Sequence, residues 1–370
     1  MTAPLALAGA ALADTLATPT LNGPLTANQN PYSFEAEPLG RIYVSGVVSG
    51  LAWSQGDPVP GDRSAGVDLS NAQVFIQKTD GLLQFYLQAG GYSLPALGSQ
   101  YWRLTNLSSA HDNFYGLVPV AYLKLALVPE LNVIVGKLPS LIGAESTFTF
   151  QNMNIERGLL WNQEPAVSRG VQANWTKGPW SLSLSLNDGF YSGRLNWLSG
   201  SAGYTFSPKD SLTLVAAGNF GETGKASLAT PLLQNNGQVV NLIWTHREGP
   251  LTVTPYLQYT RISKNWAVGI ESEATTFSGA VLARYSFTKV FSLPLRVAYL
   301  TSSGCENLLF GPQSRAFTLT LTPTWQIGRY FARVETSYVR ALHATPGSVF
   351  GITSTATSQT RGMIETGVLF

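Results

Sequence analysis

From residue 40 to residue 370, stretches with a side-chain period of two are joined by connections that are alternately short and long. A period of two predicts β-strands, because successive side chains of a strand point to opposite faces. In the clearest stretch, Phe317 and Leu319 share one parity while Thr318 and Thr320 share the other. Alternating short and long connections are typical of a transmembrane β-barrel, in which one rim carries tight turns and the other carries loops.

The stretches predict sixteen strands, near residues 40–53, 67–78, 81–92, 114–128, 131–138, 167–176, 180–187, 197–206, 211–219, 237–247, 251–263, 275–287, 292–302, 314–326, 330–341 and 361–370. The short connections, such as Thr79-Asp80 and Glu248-Gly249-Pro250, consist of turn-forming residues. A soluble β-sandwich has the same alternation along its strands but not this order of connections. The fold class predicted is therefore all-β, a single transmembrane antiparallel up-and-down β-barrel with short periplasmic turns and long extracellular loops.

The composition suits a lipid-facing surface. Charged residues make up 12% of the chain, whereas soluble domains average about 25%. The formal net charge of +2 argues against a nucleic-acid partner. The single cysteine, Cys305, cannot form an internal disulfide. No stretch approaches the 18 apolar residues of a transmembrane helix.

The two ends of the chain carry different signals. Residues 1–13 resemble the apolar part of a secretory signal peptide without its basic start, and an Ala-rich tail is the alternative. Residues 14–38 predict a flexible N-terminal lead, and residues 39–370 the barrel. In the last stretch, Ile364, Thr366, Val368 and the terminal Phe370 share one face. A terminal aromatic on a closing strand resembles the assembly signal of bacterial outer-membrane barrels.

The face opposite the apolar one predicts a polar lumen. Its mid-strand charges are Lys124, Arg284, Arg296, Arg333, Glu335 and Glu365. Since a barrel of sixteen strands is wide enough to hold an aqueous channel, we expect a water-filled pore in which the excess of basic residues gives a weak anion preference. The alternative is that these charges only pair with one another, for example Arg333 with Glu335.

Four basic residues share parity with the apolar face, all at the long-loop ends of their strands: Lys137, Arg169, Arg261 and Arg340. Charges there can reach the lipid headgroups, and we expect them to contact lipopolysaccharide phosphates.

The longest connection, residues 139–166, holds Glu145, Glu156, Arg157 and Glu164. Its Leu159-Leu160-Trp161 cluster is too apolar for a solvated loop, so we expect the loop to fold inward and constrict the pore. Its carboxylates would then face Arg284, Arg296 and Arg333 across the opening. The alternative is an outward loop that caps a neighbouring protomer.

Several motifs in residues 130–190 resemble the OmpL-like putative β-barrel porin family: 136-GKLPSLIGAE-145, 154-NIERGLLW-161, Glu164-Pro165, 168-SRGV-171 and 186-LNDG-189. The resemblance implies an outer-membrane porin of Gram-negative-type bacteria and adds no established substrate. Trimeric general porins are similar in having a constriction loop between strands 5 and 6, so a homotrimer is one expected assembly.

The function expected is passive diffusion of small hydrophilic solutes or ions, with outer-membrane lipids as the other partners. The first alternative is a channel specific for sugars or carboxylates, with Tyr86, Tyr122 and Tyr256 as a stacking track. The second is a non-conducting barrel for adhesion or scaffolding. The sequence has no catalytic, metal or cofactor motif, so we expect neither enzymatic activity nor a cofactor; a hydrolase would require a serine and a histidine within hydrogen-bond reach.

Overall fold

Sixteen antiparallel wall strands close into a β-barrel in the computed structural model, which describes residue 16 and residues 18–104 and 114–370. The strand segments are β1 (Tyr32–Ala36), β2 (Gly40–Gly56), β3 (Ala65–Lys78), β4 (Leu83–Tyr92), β5 (Val120–Val128), β6 (Leu131–Pro139), β7 (Val167–Lys177), β8 (Trp180–Asn187), β9 (Trp197–Thr205), β10 (Asp210–Asn219), β11 (Gly237–Glu248), β12 (Leu251–Ile262), β13 (Ala274–Ser286), β14 (Phe291–Gly304), β15 (Arg315–Leu321), β16 (Thr324–Ile327), β17 (Tyr330–Leu342) and β18 (Ser358–Leu369). The predicted fold class is confirmed.

The eighteen segments form sixteen wall strands, because β15 and β16 are two parts of one strand and β1 continues the wall where β18 ends. β15 and β16 both pair with β14 and β17, so they form one strand interrupted at Thr322 and Pro323. Proline has no N–H for the ladder, and this explains the break in the strand predicted as continuous over residues 314–326. The strand predicted from residue 114 begins only at Val120.

β1 lies within the segment predicted as an N-terminal lead, and it pairs with the start of β2. β18 closes the barrel by pairing with β2 as far as Leu369 opposite Val47, and β1 takes over from Tyr32 opposite Val44. β1 therefore continues the wall where the last strand ends. The signal-like residues 1–13 lie outside the described part of the chain.

Tight turns occupy one rim of the barrel, and Gly178, Gly249 and Gly328 sit in three of them with φ angles of +57°, +54° and +58°. Side chains rarely adopt this left-handed region, and glycine does so without strain. A Cβ at these positions would meet no atom within 4 Å, so the requirement is conformational rather than steric. Long loops form the other rim.

The two faces of the wall follow the predicted parity. Leu184 and Phe277 point outward with 58% and 55% of their surface exposed, whereas Thr318 and Thr320 point inward and are fully buried. Leu282 is inward and 3% exposed, as its parity requires despite its apolar side chain.

An aromatic girdle surrounds part of the outer face near the tight turns. Adjacent ring centroids lie 4.6–5.5 Å apart in the pairs Trp180–Tyr204, Tyr204–Phe206, Tyr285–Phe287, Phe287–Phe291 and Phe291–Trp325. Trp and Tyr are enriched at membrane interfaces because their rings are partly apolar and partly polar. The girdle therefore places the tight-turn rim at one membrane interface.

The predicted basic residues on the outer face lie at the long-loop rim. Lys137 and Arg169 stand opposite each other on β6 and β7. Arg169 pairs with Asp188 at 2.8 Å, and its guanidinium lies 3.9 Å from the ring centroid of Tyr191. Arg340 is exposed on β17. Contact with lipid phosphates stays a prediction. Among the described residues, no helix has the length and apolarity to cross a membrane.

Candidate pore and constriction

Residues 140–166, the inner loop, fold into the lumen as predicted. The loop is hydrogen-bonded to widely separated wall strands: Thr149 to Asn71 of β3 at 2.7 Å, Asn154 to Thr322 beside β15 at 2.7 Å, and Gly143 to Asn241 of β11 at 3.2 Å. The loop therefore crosses the barrel instead of lying along one side. The alternative of an outward loop is excluded for this chain.

Apolar side chains hold the inner loop against the wall. Phe150 is fully buried, and its ring centroid lies 5.6 Å from that of Phe75 on β3. Leu159 and Leu160 pack in one cluster with Leu300 of β14. Burial of one such side chain contributes roughly 1.5–3 kcal/mol, and this explains why the apolar runs recognised in the sequence turn inward.

A buried ion pair anchors the loop to β14. Arg296 donates from Nη1 to Glu145 Oε1 at 2.5 Å, and the two side chains are 1% and 2% exposed. Arg296 also donates to the Glu156 carbonyl at 2.6 Å, while the Gly158 N–H donates to Glu145 at 2.9 Å. The loop carboxylate and the wall guanidinium are in direct contact rather than facing each other across an opening.

A second anchor lies on β17 and β18. Arg333 pairs with Glu365 at 3.5 Å and donates to the Thr149 carbonyl of the loop at 3.0 Å. Thr149 in turn donates its hydroxyl to Glu365 at 2.6 Å. The suggested pairing of Arg333 with Glu335 is wrong, because Glu335 accepts the backbone N–H groups of loop residues 155 and 156 instead.

Arg361 completes this network and was missed from the sequence. Its fully buried guanidinium pairs with Glu156 of the loop and lies 3.9 Å from Asp62. Arg361 has the same inward parity on β18 as Glu365, so the parity argument could have found it.

Arg157 and Glu164 are buried in the loop, and neither takes part in an ion pair with another residue that the structure describes. The Arg157 guanidinium lies 4.9 Å from the Trp161 ring centroid, and burial lowers the pKa of Arg157 to about 10. Among the described residues none accepts a hydrogen bond from that guanidinium or donates one to the Glu164 carboxyl. Burial, aided by the nearby Glu145 charge, raises the pKa of Glu164 well above its usual range.

Lys124 and Arg284 lie apart from the network, in cavities near the tight-turn rim. Arg284 borders a cavity of about 340 Å³ and donates to the Gly23 carbonyl at 2.8 Å. Lys124 borders another cavity, of about 300 Å³, together with Tyr122. The predicted wall residues therefore form two groups: those that hold the loop, on β14, β17 and β18, and the cations Lys124 and Arg284 nearer the tight turns.

Residues 18–30, the N-terminal strap, also enter the lumen, on the tight-turn side of the inner loop. The strap carbonyls of residues 18, 23 and 26 accept hydrogen bonds from Gln77 of β3 at 2.7 Å, Arg284 of β13 at 2.8 Å and Gln326 of β16 at 2.9 Å. The Asn22 N–H donates to the Gln151 carbonyl of the inner loop at 2.7 Å. The strap thus spans from one wall to the other beneath the loop.

On β7 and β8 the inward side chains are hydroxyls and amides. Asn174 of β7 accepts from Ser183 of β8 at 2.8 Å and donates to Asn132 of β6 at 2.9 Å. Such a surface hydrates readily without holding ions tightly. Within the described residues, no cluster of His, Cys, Asp and Glu is suited to a metal ion.

Comparison with known proteins gives one family and several similar folds. Residues 41–370 match the family described as "Putative beta-barrel porin-2, OmpL-like". No curated protein matches the chain. The anion-selective porin of Comamonas acidovorans is 13% identical with a TM-score of 0.62, over 89% of this chain and 99% of that one. OmpT of Vibrio cholerae is 10% identical with a TM-score of 0.59, over 90% of this chain and 99% of that one. The channel DcaP of Acinetobacter baumannii is 10% identical with a TM-score of 0.57, over 91% of this chain and 99% of that one. At these identities the likeness is one of fold.

Proposed function

Because the chain belongs to the putative beta-barrel porin-2, OmpL-like family, and is thus an outer-membrane porin, we propose that it conducts small hydrophilic solutes by passive diffusion, with a weak preference for anions. The observation that carries this proposal is the inner loop, which the buried ion pairs Arg296–Glu145 and Arg361–Glu156 fix across the lumen beside a wall of hydroxyl and amide side chains. A fixed loop in a polar barrel selects by size and lining charge rather than by a moving gate.

The anion preference follows from which lumen charges are compensated. Arg296 and Arg333 are paired with Glu145 and Glu365. Arg284 has no ion-pair partner among the described residues, and it borders one of the cavities. An uncompensated cation in a cavity attracts anions and repels cations.

The reversal potential across a KCl gradient tests this preference. The wild-type channel should show mild selectivity for chloride, and Arg284→Ser should shift the reversal potential toward the cation side. Arg340→Ser, on the outer face, serves as the matched control and should leave it unchanged. A reversal potential unaffected by Arg284→Ser would show that Arg284 does not line the conducting path.

Sugar-specific transport is a second candidate. The ring centroids of Tyr86 and Tyr122 lie 5.6 Å apart. Both rings line a cavity of about 240 Å³, and the rest of its lining includes Trp161, Gln88 and Gln151. Aromatic faces flanked by amides suit sugar rings. Tyr256 is buried in a different cluster, away from this pair. Saturable sugar uptake that Tyr122→Ala abolishes would favour this candidate over general diffusion.

We also propose that the protein assembles as a homotrimer and has no enzymatic activity. One solved structure of OmpT is described as a trimer form. In this chain the outward positions of β2 include Gly50 and Ala52, whose small size lets a neighbouring protomer approach closely. The mass of the native protein in detergent tests the assembly, since a monomeric mass would rule it out.

A further inference from the structure

One lumen cavity combines two arginines with hydroxyl groups. The cavity has a volume of about 340 Å³ and lies on the tight-turn side of the inner loop. Its lining includes Arg247 and Arg284 together with the hydroxyls of Ser201, Thr213, Thr245, Thr252 and Thr254, and no Asp or Glu is among the lining residues. Since a water molecule takes up about 30 Å³ in the liquid, the cavity has room for a small polyatomic ion with part of its hydration shell.

The two arginines stand in one row of the sheet. Arg247 of β11 is in register with Thr252 of β12, and Thr252 is in register with Arg284 of β13. Adjacent strands lie about 4.8 Å apart, so the two arginine backbones are separated by roughly 10 Å. Long guanidinium side chains can span that gap from both ends, with a threonine hydroxyl between them.

Part of the donor capacity in this row is unused. Arg284 donates from Nη1 to the Gly23 carbonyl at 2.8 Å, but its Nη2 reaches Thr252 only at 3.4 Å. Its buried Nε has no partner among the described residues. By contrast, Arg296 and Arg361 are each paired with a loop carboxylate. Two guanidinium groups in one cavity repel each other, and a bound anion relieves that repulsion.

We propose that Arg247, Thr252 and Arg284 form a binding site for a small oxyanion of the phosphate, sulfate or carboxylate class. Guanidinium groups bind such oxygens through charge-assisted hydrogen bonds, and the threonine hydroxyl adds a neutral donor. The site deepens the proposed channel function, because an anion held near the tight-turn rim raises its local concentration at one mouth of the pore. The Gly23 carbonyl of the strap competes for one donor of Arg284, so binding is weak enough for release.

Binding is tested with inorganic phosphate on the purified full-length barrel in detergent, by calorimetry, so that the result does not depend on conductance. We expect saturable phosphate binding that falls about tenfold or more in Arg247→Ser and in Arg284→Ser, since each removes charge-assisted hydrogen bonds. Arg63→Ser removes the same charge from an exposed loop and should bind phosphate like the wild type. Retention of the folded, heat-modifiable band shows that each variant is assembled.

Chloride current in planar bilayers with added phosphate provides the second readout. We expect phosphate to reduce the current with saturation in the wild type and in Arg63→Ser but not in Arg247→Ser/Arg284→Ser. Equal phosphate binding by the double variant and the wild type would overturn the site. A conducting channel that binds no phosphate refutes this site alone, whereas phosphate binding without any conductance refutes the diffusion function and leaves the site standing.

Discussion

Replacing Glu145 by glutamine removes the carboxylate that anchors the inner loop to β14. Its partner Arg296 is 1% exposed and Glu145 is 2% exposed, so solvent screens their interaction very little. Removal of one partner of a buried pair costs about 3–5 kcal/mol, because it leaves the other charge uncompensated. We expect the lower end of that range, since Arg296 keeps its hydrogen bond to the Glu156 carbonyl at 2.6 Å.

A penalty of about 3 kcal/mol raises the open fraction of the loop roughly 100-fold. The open loop exposes Arg157, which is fully buried in the closed position. Trypsin cleavage after Arg157, measured on the folded barrel, therefore reports loop opening directly. Single-channel recordings of Glu145→Gln should also show larger and noisier conductance than those of the wild type.

Two comparisons decide whether the ion pair causes this effect. Glu145→Gln/Arg296→Gln removes both charges of this pair, so neither is left unpaired, and it should recover part of the protection from trypsin. Glu248→Gln breaks an exposed pair with Lys209 at the tight-turn rim and should change nothing. Wild-type cleavage rates in Glu145→Gln, or strictly additive effects in the double variant, would refute the anchoring role.

Three further predictions concern the strap, the wall and the last strand. Gly23→Leu should displace the strap and increase conductance, because a Cβ at Gly23 would lie 2.1 Å from a backbone oxygen of the inner loop. Gly224→Leu is the control and should not change conductance, because no atom lies within 4 Å of a Cβ there. Equal conductance of both variants would contradict the strap's position. Leu184→Arg should lower the free energy of unfolding in urea by about 2–4 kcal/mol if β8 faces lipid at mid-membrane, while Ser183→Arg, on the inward face, should be tolerated. The reverse order would show that the inward and outward faces of β8 are wrongly assigned. Phe370→Ser should reduce the folded, heat-modifiable fraction in outer membranes, because the Phe370 ring covers Gly46 and the backbones of the two residues are hydrogen-bonded. An undiminished fraction would argue against a role of Phe370 in assembly.

The wall could be predicted from the sequence because its rules are local. A strand alternates faces whatever it pairs with, so the outward Leu184 and inward Thr318 follow from parity alone. The inward fold of the loop was also predictable, since Leu159 and Leu160 need an apolar partner that solvent does not provide.

The charge partners could not be predicted in the same way. Whether Arg333 meets Glu335 or Glu365 depends on strand register and on the path of the loop between them, which are set by closure of the whole barrel. Arg247 was missed because it lies near the end of β11, where the alternation of side chains does not show whether a residue lies inside the lumen or at the rim.

The N-terminal strap left no signal in the sequence for a physical reason. It is held largely through its backbone carbonyls, as in the hydrogen bonds from Gln77 and Gln326. Backbone contacts impose no periodicity on the side chains, so a segment of this kind resembles a flexible lead.

The central claim is that the protein is a water-filled diffusion channel, and solute influx tests it most directly. Proteoliposomes that contain the folded, heat-modifiable barrel should swell in small uncharged sugars at a rate that rises linearly with concentration and falls steeply with solute size. Saturation of the rate would favour the sugar-specific candidate. Liposomes that hold folded barrel and neither swell nor pass ionic current would contradict the account.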